Sequence, residues 1–399
     1  MKHLLSAASA LSILAAASLA PAHAEEKTAW RLFVSDQAAS VVHAIDAQTG
    51  ERLASFDTKA PASLYRSDSG RTVFAVQGKG DTVAVISSGI AFGDHGDHGD
   101  ISVQAPRLLD VSFDGKKPSH VVDHGGDIAL FFDGEGKVRI VDEANVLEGK
   151  PAIREVATAA PHHGVAIAMG DHVLATEPNF EKPDELPVGI TVTDRSGAKV
   201  GDINACPDLH GEASSGNLIA IACAKGLLIA REQAGKPAID FLPYDATLPA
   251  GKSTTLVGGR GLQYFLGNYG PSAVVLIDPK AKEAFRLIDL PTRRVHFVVD
   301  PIRAKYAYVF TEDGNLQRID VVAGKIDAAL KLTEPYSMDG HWSEPRPRIA
   351  VAGDRIIVSD PLRSVLHTVD ASTFERTADI AVEGRPFNLV AVGGSGETH

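Results

Sequence analysis

A unit of four short strands, repeated along the chain, constrains this sequence more than any other feature. Its clearest copy runs from Phe297 to Leu332. Phe297 to Val299 is apolar and stops at Asp300-Pro301, Tyr306 to Phe310 alternates around β-formers, Leu316 to Asp320 follows an Asp-Gly-Asn turn, and Ile326 to Leu330 follows Ala323-Gly324-Lys325. Strands of about five residues divided by such turns describe an antiparallel meander. One such meander cannot cover both of its faces, so the unit needs neighbours of its own kind.

The end of the third strand, a β-branched residue followed by Asp, locates those neighbours. It recurs at Ile45-Asp46, Val141-Asp142, Thr193-Asp194, Ile277-Asp278, Ile319-Asp320 and Val369-Asp370, with altered copies at Ile86-Ser87 and Ile229-Ala230. A spacing of roughly 35 to 55 residues brackets the length of propeller blades. The expected fold is therefore all-β, a β-propeller of eight blades, with seven as the alternative. Pro386 to Val392 reads as a first strand with nothing behind it, and Trp30 to Phe56 as three strands lacking a first. Pairing the C-terminal strand with the N-terminal strands closes the ring and hides the sheet edges.

Lys2, the apolar run Leu4 to Ala20 and Ala22-His23-Ala24 have the basic start, short apolar core and small-residue cleavage point of a secretory signal peptide. Residues 1–24 are expected to be removed, leaving 25–399 as a single propeller domain. No later stretch reaches the roughly 20 apolar residues of a membrane span, so no membrane insertion is expected. The formal net charge of −12 disfavours nucleic acid and anionic lipid as partners and is compatible with cations. The two cysteines, Cys206 and Cys223, fall nearly opposite each other if the chain turns near Ser214-Ser215-Gly216. In an exported chain this favours a cross-strand disulfide over free thiols.

Histidines carry the strongest chemical signal, fifteen in the chain. Aligned on the turn between first and second strands, His120, His163 and His210 fall at nearly one phase, at the start of the innermost strand of three consecutive blades. Those starts ring one mouth of the axial channel. Three imidazoles converging there could fill three positions of a tetrahedral zinc, a carboxylate or water supplying the fourth. His162, His296 and the segment Asp339 to Glu344, with His341, lie on connections toward the same mouth. Any one of these histidines alone is more readily a hydrogen-bonded loop or core residue. Three in register on neighbouring blades is what points to a metal site.

A second cluster, FGDHGDHGD from Phe92 to Asp100, occupies the long connection between the third and fourth strands of the second unit. Asp94, His95, Asp97, His98 and Asp100 offer hard and borderline ligands on a backbone loosened by glycine, able to capture zinc or copper without fixing a geometry. Strand direction brings this connection out at the opposite mouth, beside Asp123-His124-Gly125-Gly126, which makes His124 a candidate to complete the loop site. A solvated acidic loop without a ligand is the alternative. Asp-Gly pairs such as Asp133-Gly134 have ordinary turn explanations and receive no functional weight.

The sequence has no G-x-S-x-G elbow, Walker loop or H-E-x-x-H helix, and Val257 to Gly261 lacks the following helix of a dinucleotide site. The chain is not expected to be an enzyme. A metal-dependent, lactonase-like propeller and a protein-interaction scaffold are the alternatives.

The signal segment, the repeat, the Asp-His loop, and the segments Pro161-His162-His163-Gly164-Val165, Cys206-Pro207-Asp208-Leu209-His210-Gly211-Glu212 and Gly340-His341-Trp342 together resemble the periplasmic zinc metallochaperones of the AztD type. The likeness spans essentially the whole mature chain. It implies a periplasmic carrier that binds zinc at two sites and hands it directly to the solute-binding protein of a zinc ABC transporter. It also implies His120, His163 and His210 as ligands at the channel mouth and His95 and His98 as ligands on the loop. His124, His341, Asp100 and Glu344 remain further candidates, and a monomer is expected.

Overall fold

The computed structural model describes residues 25–94, 99–341 and 343–398. The expected signal segment, His95 and His98 lie outside the described residues. Among those described, the strands form eight sheets, seven with four strands and one with six. Each is one blade of a β-propeller.

Blade 1 is built from both ends of the chain. Its strands are Val41–Asp46, Arg52–Asp57 and Glu25–Asp36, with Pro386–Thr398 innermost. The closing register pairs Leu32 with Ala391, Phe33 with Val390 and Val34 with Leu389. The C-terminal strand and the three N-terminal strands therefore meet as the unpaired ends of the repeat required, and the ring has eight blades.

The Asp marker works because its carboxylate closes the turn that follows. Asp46 Oδ1 accepts from the backbone N–H groups of Gln48 and Thr49 at 2.9 and 2.8 Å, and Asp370 Oδ1 does the same for Ser372 and Thr373. These are Asx turns, in which the side chain stands in for a backbone acceptor. In blade 3 the same position, Asp142, instead caps the short helix Glu143–Leu147 by accepting from Asn145 N–H at 2.9 Å.

Second strands such as Thr72–Gln77 and Leu218–Cys223 are buried along their whole length, because neighbouring blades cover both faces. Outer strands such as Lys325–Lys331 alternate between solvent and core. Val122 of blade 3, Val165 and Ile167 of blade 4 and Ile219 of blade 5 share one buried cluster. Three consecutive blades thus form a packed platform beneath His120, His163 and His210.

Cys206 and Cys223 are joined in a disulfide. It ties the segment leading to His210 onto the second strand of blade 5. The Phe92 to Asp100 connection is more structured at its base than a loosened loop. Ile90–Asp94 and Gly99–Val103 form a hairpin, which adds to blade 1 where Asp100 stands beside Glu397. The C-terminal glycines permit this approach: a Cβ at Gly394 would meet Phe92 Cζ at 2.9 Å, and one at Gly396 would meet the Asp100 backbone at 2.7 Å. Among the described residues no helix is long and apolar enough to cross a membrane.

Candidate metal centre

His120, His163 and His210 come together at one mouth of the propeller. His120 lies near the start of the innermost strand of blade 3, Pro118–His124, where a register shift between Pro118 and His120 marks a bulge. Such a bulge re-aims a side chain that regular alternation would direct elsewhere. His163 and His210 stand just before the innermost strands of blades 4 and 5, Ala166–Met169 and Glu212–Ser215.

The ring centres of His120 and His163 are 5.1 Å apart, and those of His163 and His210 are 5.6 Å apart. Two imidazoles bound to one tetrahedral zinc through bonds of about 2.0 Å have ring centres about 5.2 Å apart. The spacing fits a shared ion. Among the described residues no three His, Cys, Asp or Glu side chains already form a closed metal-binding group. What is formed is the ring spacing and the outer set of hydrogen bonds.

Those bonds fall on Nδ1 of two of the rings, and a carboxylate stands near Nδ1 of the third. His163 Nδ1 is 2.8 Å from Asp133 Oδ2, His210 Nδ1 donates to the Thr254 carbonyl at 2.7 Å, and His120 Nδ1 is 3.7 Å from Glu212 Oε1. Engagement of Nδ1 in His163 and His210 leaves Nε2 of those two rings free to face an ion and fixes their orientation, the usual outer-sphere arrangement around ligating histidines, while Glu212 acts on His120 as a nearby charge. Asp133 is itself held, since Ser119 Oγ donates to its Oδ1 at 2.5 Å. Tyr65 of blade 2 donates to the Ser119 carbonyl at 3.0 Å. Gly164 is required beside His163, because a Cβ there would stand 2.2 Å from Thr176 Oγ1 and 2.7 Å from His162 Nε2.

The weight denied to Asp133 in the sequence needs correction. Its turn sits against the connection of the next blade, and its carboxylate orients His163. Tyr65, Thr254 and Glu212 were likewise not singled out as positioning residues. A tyrosine in a strand and a backbone carbonyl carry no sequence signal for this role; Glu212, two residues after His210, offered the only local cue.

Electrostatics differ among the three rings. Burial works against charge on His120, but Glu212 and then Asp133 outweigh it and the pKa is raised. Burial dominates at His210 and lowers its pKa. The Tyr65 hydroxyl is pushed far up by burial, with Glu212 and Asp133 adding to the effect. Its phenol therefore stays protonated as a donor.

Two nearby histidines have structural roles. His162 is buried, donates from Nδ1 to the Ala160 carbonyl at 2.8 Å, and receives the Thr176 hydroxyl at Nε2 at 2.7 Å. Both nitrogens are spent. His296 occupies in blade 7 the bulged position that His120 occupies in blade 3, but its Nδ1 accepts from Ile349 N–H of blade 8 at 3.0 Å. Burial, reinforced by Arg348 and Arg294, lowers its pKa well below the usual value.

The other candidates are dispersed. His124 ends the strand that His120 begins, about 13 Å away at the strand rise, and so belongs to the opposite mouth. Near it, burial raises the Asp123 carboxyl to about 6. Asp100 lies on the hairpin docked to blade 1. His341 lies on the connection between blades 7 and 8, with Nδ1 2.7 Å from Ser343 Oγ, and Glu344 Oε1 accepts weakly from His341 N–H at 3.4 Å.

The sequence is 52% identical over 400 residues to the zinc chaperone AztD of Citrobacter koseri, covering 100% of this chain and 95% of that one. The crystal structure of Citrobacter koseri AztD superposes with a TM-score of 0.92 at 53% identity, over 94% of this chain and 100% of that one. The apo AztD structure from the same organism gives a TM-score of 0.90 at 52% identity, over 93% of this chain and 100% of that one. A more distant propeller, the dihydro-heme d1 dehydrogenase NirN, shares only the fold, with a TM-score of 0.56 at 14% identity over 90% of this chain and 74% of that one. No family model matches.

Proposed function

We propose, on the premise that this chain belongs to the family of the AztD zinc chaperones, that it is a periplasmic zinc carrier whose channel-mouth ion is held by His120, His163 and His210. The observation that carries this reading is the pair of ring spacings, 5.1 and 5.6 Å, on three consecutive blades. A carrier must hold its ion against leakage and still release it. The ligands are unequally exposed in a way that suits both needs, the His163 side chain being 46% exposed and that of His120 only 22%. A ligand from a recipient would reach His163 first and displace it while the others still hold the ion. Free zinc then never forms, and the binding energy is never lost in one step. The recipient in this reading is the solute-binding protein of a zinc ABC transporter.

A second ion is assigned to the segment Asp94 to Asp100, through His95 and His98 with Asp100 and His124 as further donors. His341 and Glu344 stand as reserve donors on the imidazole mouth. The export signal in residues 1–24 supports the periplasmic location. Zinc content of the mature protein, of His163→Ala and of the double variant His95→Ala/His98→Ala tests this reading. Each variant is expected to lose one ion independently and the wild type to pass zinc to the binding protein without turnover of any substrate. Retention of both ions in both variants would refute the assignment.

A further inference from the structure

The axial channel opens differently at the mouth opposite the imidazoles. There a cavity of about 840 Å³ is lined by the ends of innermost strands from blades 1, 2, 6, 7 and 8. Its size is that of a small-molecule site. Three arginines line it: Arg66 at the end of the first strand of blade 2, Arg71 in the turn that follows, and Arg260 after the first strand of blade 6. None of the three has an ion pair among the described residues, although the chain is acidic overall with a formal net charge of −12. The one lining carboxylate is Asp68, which together with Asp123 acts on Arg66. Arg66 makes a single long hydrogen bond, to the Ser67 carbonyl at 3.3 Å. The cavity thus carries an excess of positive charge with donors to spare.

The placement of these charges narrows the ligand. In a ring of eight blades, blades 2 and 6 face each other across the axis. Arg66 and Arg71 therefore oppose Arg260. Between them the walls are apolar, formed by Val299, Ile349, Val351 and Leu389. A compact inorganic anion could satisfy one side only and would bury nothing against those walls. We propose that this cavity binds a linear dicarboxylate, one carboxylate held by Arg66 and Arg71, the other by Arg260, with the methylene chain lying against the first strands. Guanidinium forks are suited to bidentate carboxylate recognition.

Calorimetric titration of the full mature chain, free of metal and at fixed ionic strength, tests this with succinate, glutarate, adipate and suberate, with hexanoate and sulfate as comparisons. Affinity is expected to peak at one chain length and to exceed that for hexanoate or sulfate by about tenfold or more. Arg66→Gln and Arg260→Gln are each expected to weaken the best dicarboxylate by about tenfold or more while zinc content stays as in the wild type. Arg260 stands on an exposed turn, so its substitution removes no core contact. Lack of dicarboxylate binding by the wild type, equal binding of sulfate, or unchanged affinity in Arg260→Gln would overturn the proposal.

Discussion

Asp133 Oδ2 holds His163 Nδ1 at 2.8 Å across the boundary between blades 3 and 4. A turn in one blade thereby sets the orientation of the most exposed imidazole of the next. Because the outer bond rather than the backbone fixes the ring, Asp133→Asn is expected to weaken zinc binding by about 10- to 100-fold. Competition with a chelating dye measures this. Thermal unfolding of the metal-free variant should change little, since the bond lies at a partly exposed mouth.

Acidification should release zinc from the imidazole mouth. A proton on Nε2 excludes the metal, and His120, with its raised pKa, takes one before His210 as pH falls. Burial lowers the pKa of His210. Affinity is expected to fall as pH drops through about 6. In Glu212→Gln the onset should move to lower pH, because the charge that favours protonated His120 is gone. Zinc titrations at a series of pH values check both statements, and affinity that stays constant across the series would contradict them.

Stability has its own pH dependence, and His296 contributes to it with a definite sign. Its folded-state pKa lies well below the unfolded value. The unfolded chain therefore binds the extra proton, and stability is lost as pH falls below the unfolded histidine value of about 6.5. His296→Asn keeps an acceptor for Ile349 N–H without a titrating group. Its melting temperature should decline less between neutral and mildly acidic pH than that of the wild type.

The Cys206–Cys223 disulfide closes a loop with a sequence separation of 17. Its removal as the paired serine variant is expected to cost about 3 kcal/mol of stability. Denaturant unfolding under oxidising conditions measures the loss. Because the same loop carries His210, zinc affinity should fall along with stability.

Loss of the strand Pro386–Thr398 should open the ring. That strand is the innermost of blade 1, and its removal would expose the edge of Glu25–Asp36. A chain truncated before Pro386 is expected to lose its cooperative melting transition and to aggregate. An unchanged transition would show that closure does not support the fold.

The repeat was legible because the Asp after most third strands acts locally: the carboxylates of Asp46 and Asp370 build turns that depend little on the rest of the fold. Closure was legible from the unpaired strands at the two ends. The alignment of His120, His163 and His210 followed from register, and the structure brings those rings together. What escaped the sequence lies across blade boundaries. Asp133 looks like any turn aspartate until blade 4 is packed against it, and the Thr254 carbonyl that holds His210 has no side-chain signature. His162 and His296 show the converse. Their positions resemble those of the ligand candidates, but bonds to Ala160, Thr176 and Ile349 use the nitrogens differently. The docking of the Asp-His hairpin on blade 1 depends on small residues some 300 positions away in the chain, at Gly394 and Gly396.

The most direct measurement is zinc X-ray absorption on the His95→Ala/His98→Ala variant loaded with one equivalent of zinc. Three imidazole nitrogens at about 2.0 to 2.1 Å are expected around the ion. Coordination by oxygens with one imidazole or none would contradict the assignment of His120, His163 and His210 as the ligands.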